Sequence, residues 1–164
     1  MKRLLYELKE PFIKEDMKRF IFEGFLASIV FGGFIGALDF YLENYFNSIL
    51  AIFTYLIVYF FLSNRLYRSF SQYHVWYSIL AVFFLLLAEY AMGVVANLLV
   101  IQIITGNAGI IFGQFSSAIQ ILNPLIYFSY LWRWAFSFEV IFYNLIQILF
   151  TVYFSYSIYQ LMKR

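Results

Sequence analysis

Three arginines stand at the ends of apolar stretches, where their side chains could bind an anion. Arg65 and Arg68 follow one stretch in IVYFFLSNRLYRSF, and Arg133 follows another in LIYFSYLWRWAFSF. A guanidinium group offers a planar fork of N–H donors that can hold a phosphate through two parallel hydrogen bonds. Each arginine alone also fits an ordinary anchor at a membrane surface. Because the two segments share an aromatic-rich end, an arginine and a closing Ser-Phe, we predict a lipid-phosphate site.

A second set of polar residues lies within apolar sequence. Glu89 occurs in LLLAEYAMG, and a carboxyl group at the centre of a bilayer costs several kcal/mol unless it is paired or protonated. We therefore expect it to face protein, either in a polar site or as a structural hydrogen bond between helices. Its candidate companions in an intramembrane polar site are Asn97, Asn123, Asn144 and Gln147.

Small residues recur at intervals of four in the first apolar stretch, at Gly24, Ser28, Gly32 and Gly36. Residues four apart share one helix face, so this pattern predicts a groove along the helix. Helices that associate in lipid favour such grooves, because packing drives their contact. The groove could receive a helix of the same chain, a second copy in a homo-oligomer, or a lipid.

The composition excludes most soluble classes. Of 164 residues, 64% are hydrophobic and 12% are charged, whereas a soluble domain has roughly a quarter charged. Lipid must therefore replace the missing polar shell. The chain has no cysteine, one histidine and a net charge of +2, which argues against a metal site and against nucleic acid as a partner. No enzyme signature occurs, and we expect no catalysis and no cofactor.

The apolar stretches predict an all-α, multi-pass transmembrane helix bundle in the cell membrane. They cover residues 20–41, 47–63, 75–104, 109–131 and 138–161, and each can cross about 30 Å of hydrocarbon. The fourth stretch is interrupted by Gly and Pro and could be broken or re-entrant, so five spans are predicted with four as the alternative. Residues 1–19 form a basic amphipathic segment in the cytoplasm or at the interface, and residues 20–164 form one transmembrane domain.

Lysine and arginine placement predicts the orientation. With five spans and the N-terminus in the cytoplasm, the positive-inside rule is met by nine basic residues. These are Lys2, Arg3, Lys9, Lys14, Lys18, Arg19, Arg65, Arg68 and Arg133. Lys163 and Arg164 would then lie outside, and with four spans they would also lie inside.

Two short patterns resemble those of a known family. The first is Arg19-Phe20 followed by Gly24; the second, at the end of the second stretch, comprises Phe61, Leu62, Asn64, Arg65 and Tyr67. Together with a similar helix end at Arg133 and Phe136, they make residues 18–136 resemble the GtrA family. That family typically has four helices, whereas this chain adds a fifth stretch.

The GtrA resemblance implies a function in lipid handling. Its members are associated with moving polyprenyl-phosphate-linked sugars for cell-surface glycosylation. For this chain it implies a flippase-like translocation or presentation of such a lipid for envelope polysaccharide biosynthesis. The implied partner is a membrane glycosyltransferase.

A rival resemblance is to MreD-like cell-shape proteins. Gly33-Phe34-Ile35-Gly36 followed by Asp39 is similar to their glycine-rich turn with an aspartate. This resemblance implies a membrane scaffold for wall-synthesis or other envelope proteins. A small substrate-binding transporter subunit that depends on Glu89 is a third hypothesis.

Overall fold

The structure is a computed structural model that describes residues 11–45, 51–106, 120, 122–125 and 138–163. In these residues the chain forms four helices and no strand: α1 (Lys14–Tyr45), α2 (Ala51–Tyr67), α3 (Val75–Thr105) and α4 (Phe138–Leu161). Two of them are long and apolar enough to cross a membrane, over Lys14–Leu42 and Val75–Ile103. The all-helical prediction is confirmed for this part of the chain.

The helix ends follow from local chemistry. The first turn of α1 carries Glu15 and Asp16, whose negative charges stabilise the helix by attraction to the partial positive charge at its N-terminus. His74 caps α3, because its Nδ1 accepts a hydrogen bond from the backbone N–H of Trp76 at 3.2 Å. Gly106 ends α3 in the left-handed region, with φ of 71°, a conformation that glycine adopts without steric cost.

The helices extend past the predicted spans where polar residues begin. α1 starts at Lys14 and α2 continues to Tyr67, whereas the spans were predicted at 20–41 and 47–63. Hydropathy marks where charge begins, but a helix continues through charged residues whose long side chains reach water. Of the predicted amphipathic segment 1–19, residues 14–19 are therefore the first residues of α1, and residues 1–10 lie outside the described residues. The predicted span 109–131 also lies outside them, apart from positions 120 and 122–125.

α1 and α3 run parallel and in close contact. Gly24 lies against Phe84, and further along α1 Gly36 lies against the backbone of Met92. Between these contacts, the buried Ser28 hydroxyl donates a hydrogen bond of 2.8 Å to the carbonyl of Phe84. The two helix backbones therefore touch along several turns.

α2 runs antiparallel to α1 and α3. Near one end of the bundle, Thr54 Oγ1 donates to Asp39 Oδ1 at 2.6 Å, and near the other end Arg65 pairs with Glu23. Residue numbers decrease along α1 as they increase along α2 from the first contact to the second, so the two helices are antiparallel. The loop after α2 is held to α1, because Ser71 donates through its backbone N–H and its hydroxyl to Asp16.

The C-terminal half of α4 packs against α2 and α3. The rings of Phe154 and Tyr59 lie 4.9 Å apart between centroids, and the Ser78 hydroxyl donates to the carbonyl of Tyr159 at 3.1 Å. α4 therefore runs antiparallel to α3. As a result, the last turns of α4 lie beside the start of α3, at the same end of the bundle as the start of α1. We call this end, which carries Arg19, Arg65 and Arg68, the arginine end.

Candidate functional site

A cleft opens between α1 and α2 at the arginine end. Its volume is about 350 Å³. Six of the eight residues that line it have polar side chains, and the other two are aromatic. The residues are Arg19, Glu23, Phe31, Phe61, Asn64, Arg65, Arg68 and Ser69.

Helix periodicity places the charged groups around the cleft. Arg19 and Glu23 are four residues apart on α1, so their side chains share a face. Arg65 lies in the last turn of α2 and Arg68 directly follows that helix. Because α1 and α2 pack antiparallel, Arg19 and Glu23 on α1 lie at the same end of the bundle as Arg65 and Arg68. The site therefore gathers three guanidinium groups around one carboxylate.

The only ion pair among the described residues joins the two walls of the cleft. Arg65 Nε lies 2.6 Å from Glu23 Oε2. The Arg65 side chain is 57% exposed and that of Glu23 is 20% exposed, so the arginine is the more accessible partner of the pair. Within the described part of the chain, Arg68 makes no ion pair or hydrogen bond, and Arg19 interacts electrostatically with Asp16 one turn before it on α1. The cleft therefore carries an excess of positive charge that suits an anion.

The other end of the cleft is apolar. The rings of Phe31 and Phe61 stack at a centroid distance of 5.3 Å and an interplanar angle of 26°. Twelve residues separate Arg19 from Phe31, which corresponds to about 18 Å along α1. An amphiphile with an anionic head and a hydrocarbon chain matches this sequence of polar and apolar surfaces.

The predicted phosphate-binding residues are partly brought together. Arg65 and Arg68 line the same cleft, whereas Arg133 lies outside the described residues. Two further cleft residues, Arg19 and Glu23, were not predicted as site residues. Their spacing of four on a helix could have indicated a shared face, but only the position of α2 shows which face lines the cleft.

Three of the predicted intramembrane polar residues have described side chains. Glu89 is buried, and the hydroxyl of Tyr55 donates to it at 3.5 Å. Asn97 lies eight residues further along α3, about 12 Å away by helical rise, and is exposed. Asn123 Oδ1 accepts a hydrogen bond from the backbone N–H of Leu125 at 2.9 Å, a local contact directly before the helical residues 124–125. The side chains of Asn144 and Gln147 lie outside the described set.

The small-residue face is occupied by α3. Gly24, Ser28, Gly32 and Gly36 are all buried. A Cβ atom on Gly32 would lie 2.6 Å from the carbonyl oxygen of Ala88, which is a steric clash, and one on Gly36 would lie closer still to Met92. Gly33, on a neighbouring position of α1, has ordinary space for a Cβ, 3.5 Å from Val95. The face therefore serves a contact within this chain.

No family model, curated protein or solved structure matches this chain. The segment Gly33-Phe34-Ile35-Gly36 with Asp39 lies within the continuous helix α1, so it does not form the turn that the MreD resemblance implies. The described residues contain no group of three histidine, aspartate or glutamate side chains that could hold a metal ion.

Proposed function

We propose that this chain is an integral membrane protein that binds the phosphate of a membrane lipid in the cleft between α1 and α2. The observation that carries the proposal is the position of three arginines around one cleft with an apolar end. Arg68 contributes a guanidinium that has no protein partner among the described residues. Guanidinium groups bind phosphate bidentately, and the stacked rings of Phe31 and Phe61 suit the first part of a lipid chain.

A membrane location is supported by the apolar surface of the helices. On α1, Phe22 is 67% exposed and Phe34 is 69% exposed, and on α4 Phe138 is 83% exposed. Contiguous apolar surface of this kind is costly in water and ordinary in hydrocarbon. The two helices long enough to span a bilayer agree with this location.

The topology that we propose has four crossings with both termini in the cytoplasm. α1 begins and α4 ends at the arginine end, so the chain crosses an even number of times if both helices span the membrane. Lys14, Lys18 and Lys163 also lie at this end. By the positive-inside rule the arginine end faces the cytoplasm.

The specific lipid that we propose is a polyprenyl-phosphate-linked sugar, presented or translocated for envelope glycosylation together with a membrane glycosyltransferase. This part rests on the resemblance of the two helix ends to the GtrA family. Asn64 and Arg65 of the second pattern line the same cleft as Arg19 of the first. The scaffold hypothesis receives less support, because the small-residue face on which it depends is covered by α3.

A lipid-binding measurement tests the proposal. In nanodiscs that contain a polyprenyl-phosphate-linked sugar, the Arg68→Gln variant should bind the lipid about tenfold or more weakly, because a charge-assisted hydrogen bond contributes about 1.5–3 kcal/mol. Arg68→Gln is preferable to Arg65→Gln, because Arg68 has no ion pair within the described residues to lose. Lys18→Gln, which removes a charge from α1 outside the cleft lining, is the control and should change affinity less than about twofold. Equal affinity of the Arg68→Gln variant and the wild type would contradict the proposal.

A further inference from the structure

Glu23 is the one acidic residue among those that line the cleft. Its carboxylate is held in the wall of α1, where Oε2 accepts a hydrogen bond of 2.6 Å from Arg65 Nε. An acidic group beside three arginines lowers the affinity of the cleft for any anion. Attraction of a phosphate therefore cannot be the role of the Glu23 carboxylate in this cleft.

The contact between Glu23 and Arg65 leaves most of the guanidinium available. An arginine carries five N–H donors, and the contact described here uses the one on Nε. The side chain of Arg65 is more than half exposed, and Arg65 lines the cleft. A ligand phosphate can therefore bind the remaining donors while Glu23 keeps its own bond. The phosphate and the carboxylate then lie on the same guanidinium as two neighbouring anions.

The repulsion between two such anions grows with the charge of the ligand. A phosphodiester carries one negative charge, whereas a phosphomonoester above its second pKa of about 6 carries two. The carboxylate of Glu23 therefore penalises the doubly charged headgroup about twice as much in free energy. The attraction from the arginines alone would favour the doubly charged headgroup.

We propose that Glu23 sets the charge selectivity of the cleft, favouring lipids with a singly charged phosphodiester over lipids with a doubly charged phosphomonoester. This inference rests on the proposed function, since it assumes that a lipid phosphate binds beside Arg65. It assigns Glu23 a role that is separate from holding α1 to α2. The glutamine isostere separates the two roles, because its Oε1 can still accept from Arg65 Nε but carries no charge.

The experiment measures binding of two lipids to the full chain in nanodiscs, at about pH 8.5, well above the second phosphate pKa of about 6. Phosphatidylglycerol is the phosphodiester probe and phosphatidic acid is the phosphomonoester probe. One partly solvated charge pair changes affinity up to about fivefold. The Glu23→Gln variant should therefore bind phosphatidylglycerol about two- to fivefold more tightly than the wild type does. Its affinity for phosphatidic acid should rise by about the square of that factor, because the repulsion removed is twice as large in free energy. The preference for phosphatidic acid should rise about two- to fivefold.

Glu15→Gln is the matched control, because it removes the same charge from an exposed position on the first turn of α1. Its preference between the two lipids should stay that of the wild type. An unchanged preference in Glu23→Gln, or a loss of affinity for both lipids, would overturn the inference in favour of a purely structural ion pair. If Arg68→Gln binds both lipids as the wild type does, the proposed function itself fails. The two failures are therefore distinguishable.

Discussion

Arg65 shows how a charged residue can be stable at the edge of an apolar bundle. It lies in the last turn of α2, where the unpaired carbonyl groups carry a partial negative charge that favours a cation. Its long aliphatic stem can lie along apolar surface while the guanidinium reaches the cleft. Glu23 adds an opposite charge across the helix contact. Local sequence and the neighbouring helix therefore both stabilise the charge that the site needs.

Asp39 and Thr54 form a polar contact toward the opposite end of the bundle. Thr54 is 1% exposed, and its hydroxyl donates to the carboxyl group of Asp39 at 2.6 Å. In surroundings with little water, a hydrogen bond to a carboxyl group has few competing partners. This contact joins α1 to α2 at the end away from the cleft.

At the residue scale, we predict that Thr54→Val destabilises the fold by about 1–2 kcal/mol, because valine keeps the shape and removes the hydrogen bond to Asp39. Thermal unfolding in detergent measures the change. Thr54→Ser keeps the hydroxyl and is the control, with a loss below that of valine. In an Asp39→Asn background the cost of Thr54→Val should shrink. A cost that is the same in both backgrounds would show that the two side chains are not coupled.

The contact of α1 with α3 depends on glycine at two positions where the backbones approach. A Cβ on Gly32 or Gly36 would meet the carbonyl oxygen of Ala88 or Met92, and a backbone atom cannot rotate away as a side chain can. The helices must then separate along their length, which also strains the hydrogen bond from Ser28 to Phe84. α1 carries Arg19 and Glu23, so this contact also positions one wall of the cleft.

At the element scale, Gly36→Ala should lower the free energy of unfolding by about 1–3 kcal/mol, as expected for an added methyl group that a packed interface cannot accommodate. Gly33→Ala is the matched control on the same helix, because its Cβ would meet Val95 at an ordinary distance of 3.5 Å. The control should leave the unfolding temperature in detergent nearly unchanged. Equal destabilisation by both substitutions would indicate a general effect of alanine in α1 instead of the close approach to α3.

Over the whole molecule, the parallel and antiparallel contacts place the start of α1 and the end of α4 together. Phe20 of α1, Leu66 of α2, Tyr77 of α3 and Met162 beyond α4 are all buried at this end. The rings of Phe20 and Tyr77 lie 4.9 Å apart between centroids. The arginine end is therefore a packed region of the bundle to which all four described helices contribute, and it supports the cleft from behind.

At this scale we predict that both chain termini lie on the cytoplasmic side. A fluorescent protein fused after Arg164 should fluoresce, and alkaline phosphatase fused at the same position should be inactive, since the phosphatase folds only outside the cytoplasm. The same pair of reporters fused in the α2–α3 loop should give the same result. An active phosphatase at the C-terminus with an inactive one in that loop would instead support five crossings.

The sequence by itself determined the helical class and the approximate position of each described helix. The low charge content and the long apolar stretches leave few alternatives, because backbone groups in hydrocarbon must be paired within a helix. The spacing of four from Gly24 to Gly36 also predicted a face for close contact. Residue spacing could not identify what covers that face, since a second copy, a lipid and another helix all require the same small residues.

Only the tertiary structure decided which residues meet across elements. Glu23 and Arg65 are forty-two positions apart, and nothing local to either residue indicates a shared cleft. Their contact follows from the antiparallel packing of α1 on α2, which is set by the fit of side chains along both helices. The direction of α4, and hence the end of the bundle at which the chain finishes, likewise depends on which helices it packs against. Periodicity defines the faces of a helix, whereas packing selects the partner of each face.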